Sequence, residues 1–254
     1  MAGESATGVV IEHSGNELLF TLDNGPGNQV TGAMMDAMMA ALAAEHAAPR
    51  ARVLRLRARG PAFCTGRERA GRDVESLRRE AQRIIEYKRA LRATNLISIA
   101  EVQGDAAGFG FGLAILCDFS LIAETASLSF PEMKHGLPPA AIMAYLGDFA
   151  LPRHAFPLVL FGDPITPRRA LEIGLISQVA APADLKRDAD ALAARILALK
   201  PAAVRRCKEF FQIVQQNTFD QNCRLAVEAL TVGSLATLAG GNDHGHGERG
   251  GTPR

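Results

Sequence analysis

The fold is decided by the segment Gln103-Gly104-Asp105-Ala106-Ala107-Gly108-Phe109-Gly110-Phe111-Gly112-Leu113. It follows a β-branched, apolar run at Ile97–Val102, which predicts a strand, and it precedes an apolar helix predicted at Leu113–Cys117. Glycines let a backbone approach a ligand closely, and the first turn of a helix offers unpaired N–H groups and the positive end of its dipole. The segment therefore predicts a backbone oxyanion hole.

Nucleotide and metal motifs do not fit this segment. A GxGxxG/A frame that begins at Gly108 needs a small residue at Leu113, and one that begins at Gly110 needs it at Ile115. No Lys follows the glycines as a P-loop requires, and Gly-x-Ser-x-Gly, HExxH and spaced Cys/His ligand sets are missing from the chain. We therefore expect no nucleotide-binding loop, no serine hydrolase and no metal site.

A second glycine-containing loop, Ala62–Glu68, follows a strand predicted at Val53–Ala58. Strands and helices alternate on both sides of the two loops, which implies crossover connections, a largely parallel sheet and an α/β fold. Beyond Pro131 the pattern is helical to the end. The other predicted elements up to that point are strands Val9–Ile11 and Leu18–Leu22, a helix with a methionine stripe that starts after Thr31, helix Val74–Arg92, and strands Phe119–Ala123 and Leu128–Phe130.

Composition and charge exclude several classes of protein. The net charge is +1 with 48% hydrophobic residues, which is typical of a globular protein and not of a nucleic-acid binder. Four arginines at 52, 55, 57 and 59 alternate with apolar residues and predict the solvated edge of a strand in preference to an anion site. The four cysteines are far apart and no long apolar run or export signal occurs, so we expect a cytoplasmic protein.

The order of the motifs resembles the crotonase superfamily, which includes enoyl-CoA hydratases and isomerases. Ala62–Glu68 is similar to its A-F-C-x-G-x-[DE] pattern. Gln103–Asp118 together with Ser127–Pro138 is similar to its N-G-x-A-x-G-G-G…C-D…F-x-x-P-E-x-x-x-G-L-x-P run. The resemblance covers roughly residues 9 to 235, and its further matches are Leu22–Asn28, Phe161–Thr166, Ala170–Ile176 and Lys200-Pro201.

This resemblance implies a spiral of ββα repeats (the ClpP/crotonase fold) with a helical carboxy-terminal region that forms homotrimers, which pair in some members into hexamers. The expected divisions are a core at 1–182 that holds coenzyme A and the active site, a helical region at 183–239 and a disordered tail at 240–254. Acyl-CoA is the expected substrate. No separate cofactor is expected, since coenzyme A belongs to the substrate.

The resemblance also implies which residues form the site. The backbone N–H groups of Arg67 and Phe109 would hold the oxygen of a thioester enolate, and Glu132 would be the catalytic carboxylate. Burial beside apolar walls would raise the pKa of this glutamate. The other residues expected to contact substrate are Ala62, Cys64, Thr65, Gly66, Gly108, Gly110, Pro131 and Ala140.

Three positions depart from the family pattern. Gly112 stands where the hydratases have their first glutamate, and Ala140 stands where dienoyl-CoA isomerases and aryl-CoA dehalogenases have an acid. Phe109 replaces a glycine, so its ring either lines the acyl pocket or partly blocks it. Adding water asks for two proton-handling groups, whereas moving a double bond needs one.

We therefore expect an enzyme of fatty acid metabolism that acts as an enoyl-CoA isomerase, with hydration as a second possibility. The stretch Ala140–Met143 predicts an apolar wall for a fatty or cyclic acyl chain. Two alternatives stay open: a non-catalytic acyl-CoA-binding or scaffold homologue, and a specialised acyl-CoA lyase or hydrolase.

Overall fold

The computed structural model describes residues 4–6, 8–215 and 217–241. The strands are β1 Glu4–Ala6, β2 Val9–Ser14, β3 Glu17–Leu22, β4 Val53–Ala58, β5 Ala62–Cys64, β6 Ile97–Val102, β7 Asp105–Ala107, β8 Phe119–Ala123, β9 Leu128–Ser129 and β10 Gln178–Ala180. The α-helices are α1 Gly32–Ala47, α2 Val74–Ala93, α3 Phe109–Leu116, α4 Ala140–Leu146, α5 Pro152–Phe161, α6 Pro167–Glu172, α7 Leu185–Leu197, α8 Pro201–Val214 and α9 Phe219–Gly241. A 3-10 turn spans Pro131–His135.

Three consecutive ββα repeats build the core. Each repeat places its first strand (β4, β6, β8) in a seven-stranded sheet and its second, shorter strand (β5, β7, β9) in a three-stranded sheet, and a helix follows. The large sheet has the order β1-β2-β3-β4-β6-β8-β10, and the small sheet has the order β5-β7-β9. All pairings are parallel except those of the β1-β2-β3 meander. The expected spiral of ββα repeats is confirmed.

Local sequence accounts for helix α1. Thr31 is its N-cap, with an extended backbone and a side-chain oxygen that accepts a hydrogen bond from the N–H of Met34 at 3.2 Å. Met34, Met35 and Met38 are buried in the main core, as the methionine stripe predicts. Helix spacing places such side chains on one face, and burying them stabilises the packing of α1 on the sheet.

The arginines of β4 correct one prediction. β4 lies between β3 and β6 inside the large sheet and is not an edge strand. Arg55 is 5% exposed, and its guanidinium donates to Glu101 at 2.5 Å, to Asp190 at 2.6 Å and to Glu17 at 3.2 Å. A buried cation is tolerated only where such partners surround it. Arg55 therefore forms a largely buried ion-pair network that joins β3, β6 and α7 to β4.

Several boundaries differ from the prediction. The three-residue strands β5 and β7 lie inside the two predicted loops, and α3 begins at Phe109 instead of Leu113. β10 interrupts the helical pattern after Pro131. Gly240 and Gly241, placed in the tail, belong to α9, and residues 242–254 lie outside the described part of the chain.

The chain divides after Ala198 into two units. The first holds both sheets and α1–α7, and α7 packs on β4, β6 and β8. The second holds α8 and α9, with the side-chain amide of Asn222 donating to the carbonyl of Val214 at 2.9 Å. Among the described residues, no helix combines the length and apolar character that crossing a membrane requires.

Gly110 is the point where α3 touches β5. A Cβ at this position would overlap the backbone carbonyl and the Cβ of Cys64, so only glycine allows the helix and strand to pack this closely. Gly147 is a matched contrast, because its φ is −67° and a Cβ there would meet nothing within 4 Å.

We expect Gly110→Ala to lower the free energy of unfolding by about 1–3 kcal/mol, the usual cost of overpacking. Gly147→Ala should leave stability unchanged or raise it by up to about 1 kcal/mol, because alanine restricts the unfolded chain. Urea titration followed by circular dichroism measures both. Equal stability of the two variants would contradict the close packing of α3 on β5.

Candidate active site

The predicted site residues follow the three parallel strands of the small sheet. Arg67 comes three residues after β5, Phe109 two residues after β7, and Glu132 three residues after β9. The carboxyl ends of neighbouring parallel strands lie at one edge of a sheet, where α/β proteins bind ligands. The order β5-β7-β9 therefore brings segments distant in sequence to one place.

The backbone N–H of Arg67 points away from Val30, the residue with which Arg67 forms a β-bridge. Val30 and Arg67 form a parallel bridge in which the N–H of Val30 donates to Gly66 and the N–H of Glu68 donates to Val30. In a parallel bridge the residue between these two bonds points its own N–H to the opposite side. The N–H of Arg67 is thus available to a ligand, while its guanidinium pairs with Glu80.

Phe109 is the first residue of α3. The N–H groups in the first turn of a helix have no acceptor within the helix, and the N–H of Phe109 is one of them. Gly108 precedes it as N-cap with φ of 52° and ψ of −116°, a conformation that glycine adopts without strain. Phe109 itself is not among the described residues with positive φ. The substitution of glycine by phenylalanine therefore keeps the N–H in helical geometry.

The ring of Phe109 is packed against Tyr87 in the core. It is 6% exposed and stacks on Tyr87 with ring centres 6.3 Å apart. The Nζ of Lys88 lies 5.5 Å from the ring centre, within the range of a cation–π contact. Of the two alternatives, lining and blocking, the structure shows a ring that lines a cavity.

Glu132 lies on the 3-10 turn, with its carboxylate against Gly108. A Cβ on Gly108 would lie 2.7 Å from the Oε1 of Glu132, so the glycine also makes room for this carboxylate. The Oε2 atom is buried and has no hydrogen-bond partner among the described residues. Burial raises the pKa of Glu132, and the charge of Lys88 opposes this shift only in part.

A cavity of about 810 Å³ connects these groups. Eight predicted site residues line it: Thr65, Gly66, Arg67, Gly108, Phe109, Pro131, Glu132 and Ala140. Ala62, Cys64 and Gly110 are not in its lining and lie behind it. The carbonyl of Ala62 accepts hydrogen bonds from Asn28 and Gln103, and Cys64 packs against Gly110.

The other acids near the glycine-rich segment have structural partners. Asp118 accepts hydrogen bonds from the N–H and the hydroxyl of Ser98 at 2.7 and 2.8 Å. Asp105 accepts from the N–H of Ser127, and Glu101 pairs with Arg55. In the described part of the chain, no group of three or more His, Cys, Asp or Glu side chains is arranged to hold a metal.

Helix α2 contributes cavity residues that the motifs do not indicate, namely Ala81, Ile84, Ile85 and Lys88. Gln29 and Arg69 also line the cavity without a motif that indicates it, and so does His135, which is exposed. Lys88 carries one signal in the sequence. It falls at i+4 from Ile84 and i−3 from Leu91, on the apolar face of an otherwise charged helix.

Solved structures share this fold. An enoyl-CoA hydratase from Bacillus anthracis superposes with a TM-score of 0.84 at 25% identity, covering 89% of this chain and 90% of that one. An enoyl-CoA hydratase from Mycobacterium smegmatis gives 0.85 at 23% identity over 89% and 90% of the two chains. The fold is that of the crotonase superfamily.

Sequence comparison supplies the family. The family model described as enoyl-CoA hydratase/isomerase matches residues 13–231. A putative enoyl-CoA hydratase of Thermus thermophilus is 28% identical over 87% of this chain and 90% of its own length. The enoyl-CoA isomerase/hydratase of Mycosarcoma maydis is 33% identical over 63% of this chain, a match that spans 60% of the fungal protein. The chain belongs to the enoyl-CoA hydratase/isomerase family.

The position of the Phe109 ring has a measurable consequence. We expect Phe109→Ala to lower the free energy of unfolding by about 3 kcal/mol, the lower end for a buried phenylalanine, because the ring borders an existing cavity. Phe109→Leu should cost roughly half as much. Binding of crotonyl-CoA, followed by calorimetry, should persist in both because the backbone N–H is unchanged. Unaltered stability in Phe109→Ala would contradict the packing of the ring on Tyr87.

Proposed function

We propose that this protein is an acyl-CoA-processing enzyme in which the N–H groups of Arg67 and Phe109 hold a thioester enolate while Glu132 moves a proton. The observation that carries this proposal is the convergence of the three segments after β5, β7 and β9 on one cavity. No separate cofactor takes part, because coenzyme A belongs to the substrate.

The favoured reaction is movement of a double bond from C3 to C2. The Glu132 carboxylate removes a proton from C2, and the negative charge that develops on the thioester oxygen meets the two N–H groups. A preorganised donor of this kind contributes about 3–4 kcal/mol to transition-state stabilisation. Burial suits Glu132 to this work, because a raised pKa makes the carboxylate a stronger base for the C2 proton.

Position 112 supports isomerisation over hydration. A Cβ there would lie 2.5 Å from both the Cδ1 of Ile142 and the hydroxyl of Tyr145, so a larger residue requires these two side chains to shift. The second carboxylate of the hydratase pattern is absent, because residue 112 is glycine and the side chains of Ile142 and Tyr145 occupy the space beside it. Hydration remains the second candidate, because it is the activity named for several relatives.

The acyl chain meets an apolar wall of Ala140, Ala141 and Ile142. Met143, predicted to belong to it, is 49% exposed and is not in the cavity lining. The wall fits a fatty or cyclic acyl group, and we propose a role in fatty acid metabolism in the cytoplasm.

We further propose that the protein forms homotrimers or hexamers through its carboxy-terminal helices. In the second unit, Phe211, Phe219 and Leu230 are 62%, 80% and 71% exposed. Large apolar side chains exposed in this way are typical of a surface that another subunit covers.

We expect Glu132→Gln to reduce turnover of 3-hexenoyl-CoA by roughly 10²–10⁴-fold, because the amide cannot accept the proton. Binding of the same acyl-CoA should persist. Glu124→Gln, which changes an exposed glutamate after β8, should behave as wild type. Full activity in Glu132→Gln would overturn the mechanism.

Incubation in heavy water with 2-enoyl-, 3-enoyl- and saturated acyl-CoAs identifies the reaction by mass. Deuterium at carbon indicates enolate chemistry, and a gain of one water indicates hydration. Tight binding with no change in any acyl-CoA would support a scaffold protein instead. Release of free coenzyme A would indicate a hydrolase, and a shortened acyl group would indicate a lyase.

A further inference from the structure

Lys88 is a buried cation in the wall of the candidate active site. The residue is 5% exposed, belongs to the carboxy-terminal half of α2 and lines the same cavity as Glu132. Among the described residues it forms no ion pair with a carboxylate. A lysine buried without a carboxylate partner is costly for folding, so its position calls for a role.

Two protein acceptors orient the Nζ atom. It donates to the hydroxyl oxygen of Tyr145 at 2.9 Å and to the carbonyl of Ala141 at 3.2 Å. Tyr145 donates its own proton to the carbonyl of Gly112 at 3.0 Å and therefore accepts from Lys88. The third position on Nζ holds an N–H in the ammonium form and a lone pair in the amine form. The same geometry thus serves a proton donor and a proton acceptor.

The contacts of Gly108 and Gly112 show how close Lys88 lies to Glu132. A Cβ on Gly108 would lie 2.7 Å from the Oε1 of Glu132, and a Cβ on Gly112 would lie 3.4 Å from the Nζ of Lys88. These two glycines are one helical turn apart, about 6 Å along the axis. The ammonium of Lys88 therefore lies near the place where the hydratase pattern has its first glutamate.

Burial shifts the pKa values of Lys88 and Glu132 towards each other. Burial lowers the pKa of Lys88 to about 7, with Glu132 opposing and Arg67 adding to the shift. Burial also raises the pKa of Glu132. The groups that face Lys88 are Tyr145 from α4, Glu132 from the 3-10 turn and Arg67 from the loop after β5, with Arg69 and His135 in the same cavity lining.

We propose that Lys88 is a second proton-carrying residue of this site, supplied by α2 in place of the acid that position 112 lacks. The inference rests on the proposed function. Glu132 removes the C2 proton of a 3-enoyl-CoA, and the C–H electron pair enters a dienolate held by Arg67 and Phe109. The Lys88 ammonium then gives a proton to C4, and the electrons return to form the C2–C3 double bond and the carbonyl.

The cycle closes by transfer of one proton from the Glu132 acid to the Lys88 amine, directly or through water. This route differs from a shuttle by Glu132 alone in the origin of the C4 hydrogen. Ammonium protons exchange rapidly with solvent, whereas a single carboxylate returns part of the original C2 hydrogen.

The test uses single turnover of 3-hexenoyl-CoA in heavy water by the wild-type protein, Lys88→Met, Lys88→Arg and Glu132→Gln. Lys88→Arg keeps a cation that does not release its proton, and Lys88→Met keeps the length of the chain without charge. Lys186→Met, at a lysine whose side chain is 78% exposed on α7, is the matched control. Thermal unfolding and acyl-CoA binding of each variant report on folding.

We expect Lys88→Met and Lys88→Arg to slow turnover by roughly 10²-fold or more. In both, the surviving product should carry less solvent deuterium at C4 than the wild-type product. Wild-type activity should fall as pH rises through about 7, where the Lys88 ammonium is lost, and both variants should lack this decline. Lys186→Met should match wild type in every respect.

Wild-type C4 labelling and an unchanged pH profile in folded Lys88→Arg, with Glu132→Gln inactive, would overturn the role of Lys88 and leave the proposed function standing. Wild-type protein that leaves 3-hexenoyl-CoA unlabelled and unchanged would instead overturn the proposed function, and the role of Lys88 with it.

Discussion

The site depends on the close approach of α3 to β5. Gly110 brings the first turn of the helix against the backbone of Cys64, and no larger residue allows that distance. Because β5 continues into the segment of Arg67 and α3 begins at Phe109, the contact sets the separation of the two N–H groups. Small shifts in this packing would therefore move both donors relative to the oxygen they are proposed to hold.

Much of the fold follows from patterns that are local in sequence. The hairpin, the capped helix after Thr31 and the strands Val53–Ala58 and Ile97–Val102 each carry their own period, and all of them are present. β5 and β7 were missed because three residues are too short to show a period, and glycines nearby resemble a loop. Arg55 was placed at an edge because its partners are 38 to 135 residues away in the chain.

Part of the candidate site could likewise be predicted from the sequence, and part of it depends on tertiary packing. The proposed backbone donors and the glutamate follow motifs, so Arg67, Phe109 and Glu132 could be named from the sequence, and all three line one cavity in the structure. The direction of the Phe109 ring could not, because it depends on Tyr87 from another helix. Lys88 lies 24 residues before Gly112 and carries no motif, so only tertiary packing reveals that the two are neighbours.

Helix α3 has one further property, which is that all eight of its residues are buried. A helix without a solvent face tolerates few substitutions, and the N–H group it offers at Phe109 belongs to its backbone. The groups proposed to handle protons, Lys88 and Glu132, reach it from α2 and from the 3-10 turn, and both of these elements have exposed faces. In the proposed mechanism the helix backbone performs the electrostatic task and its neighbours handle the protons, so substitutions outside the helix can change the proton chemistry without moving the backbone donor.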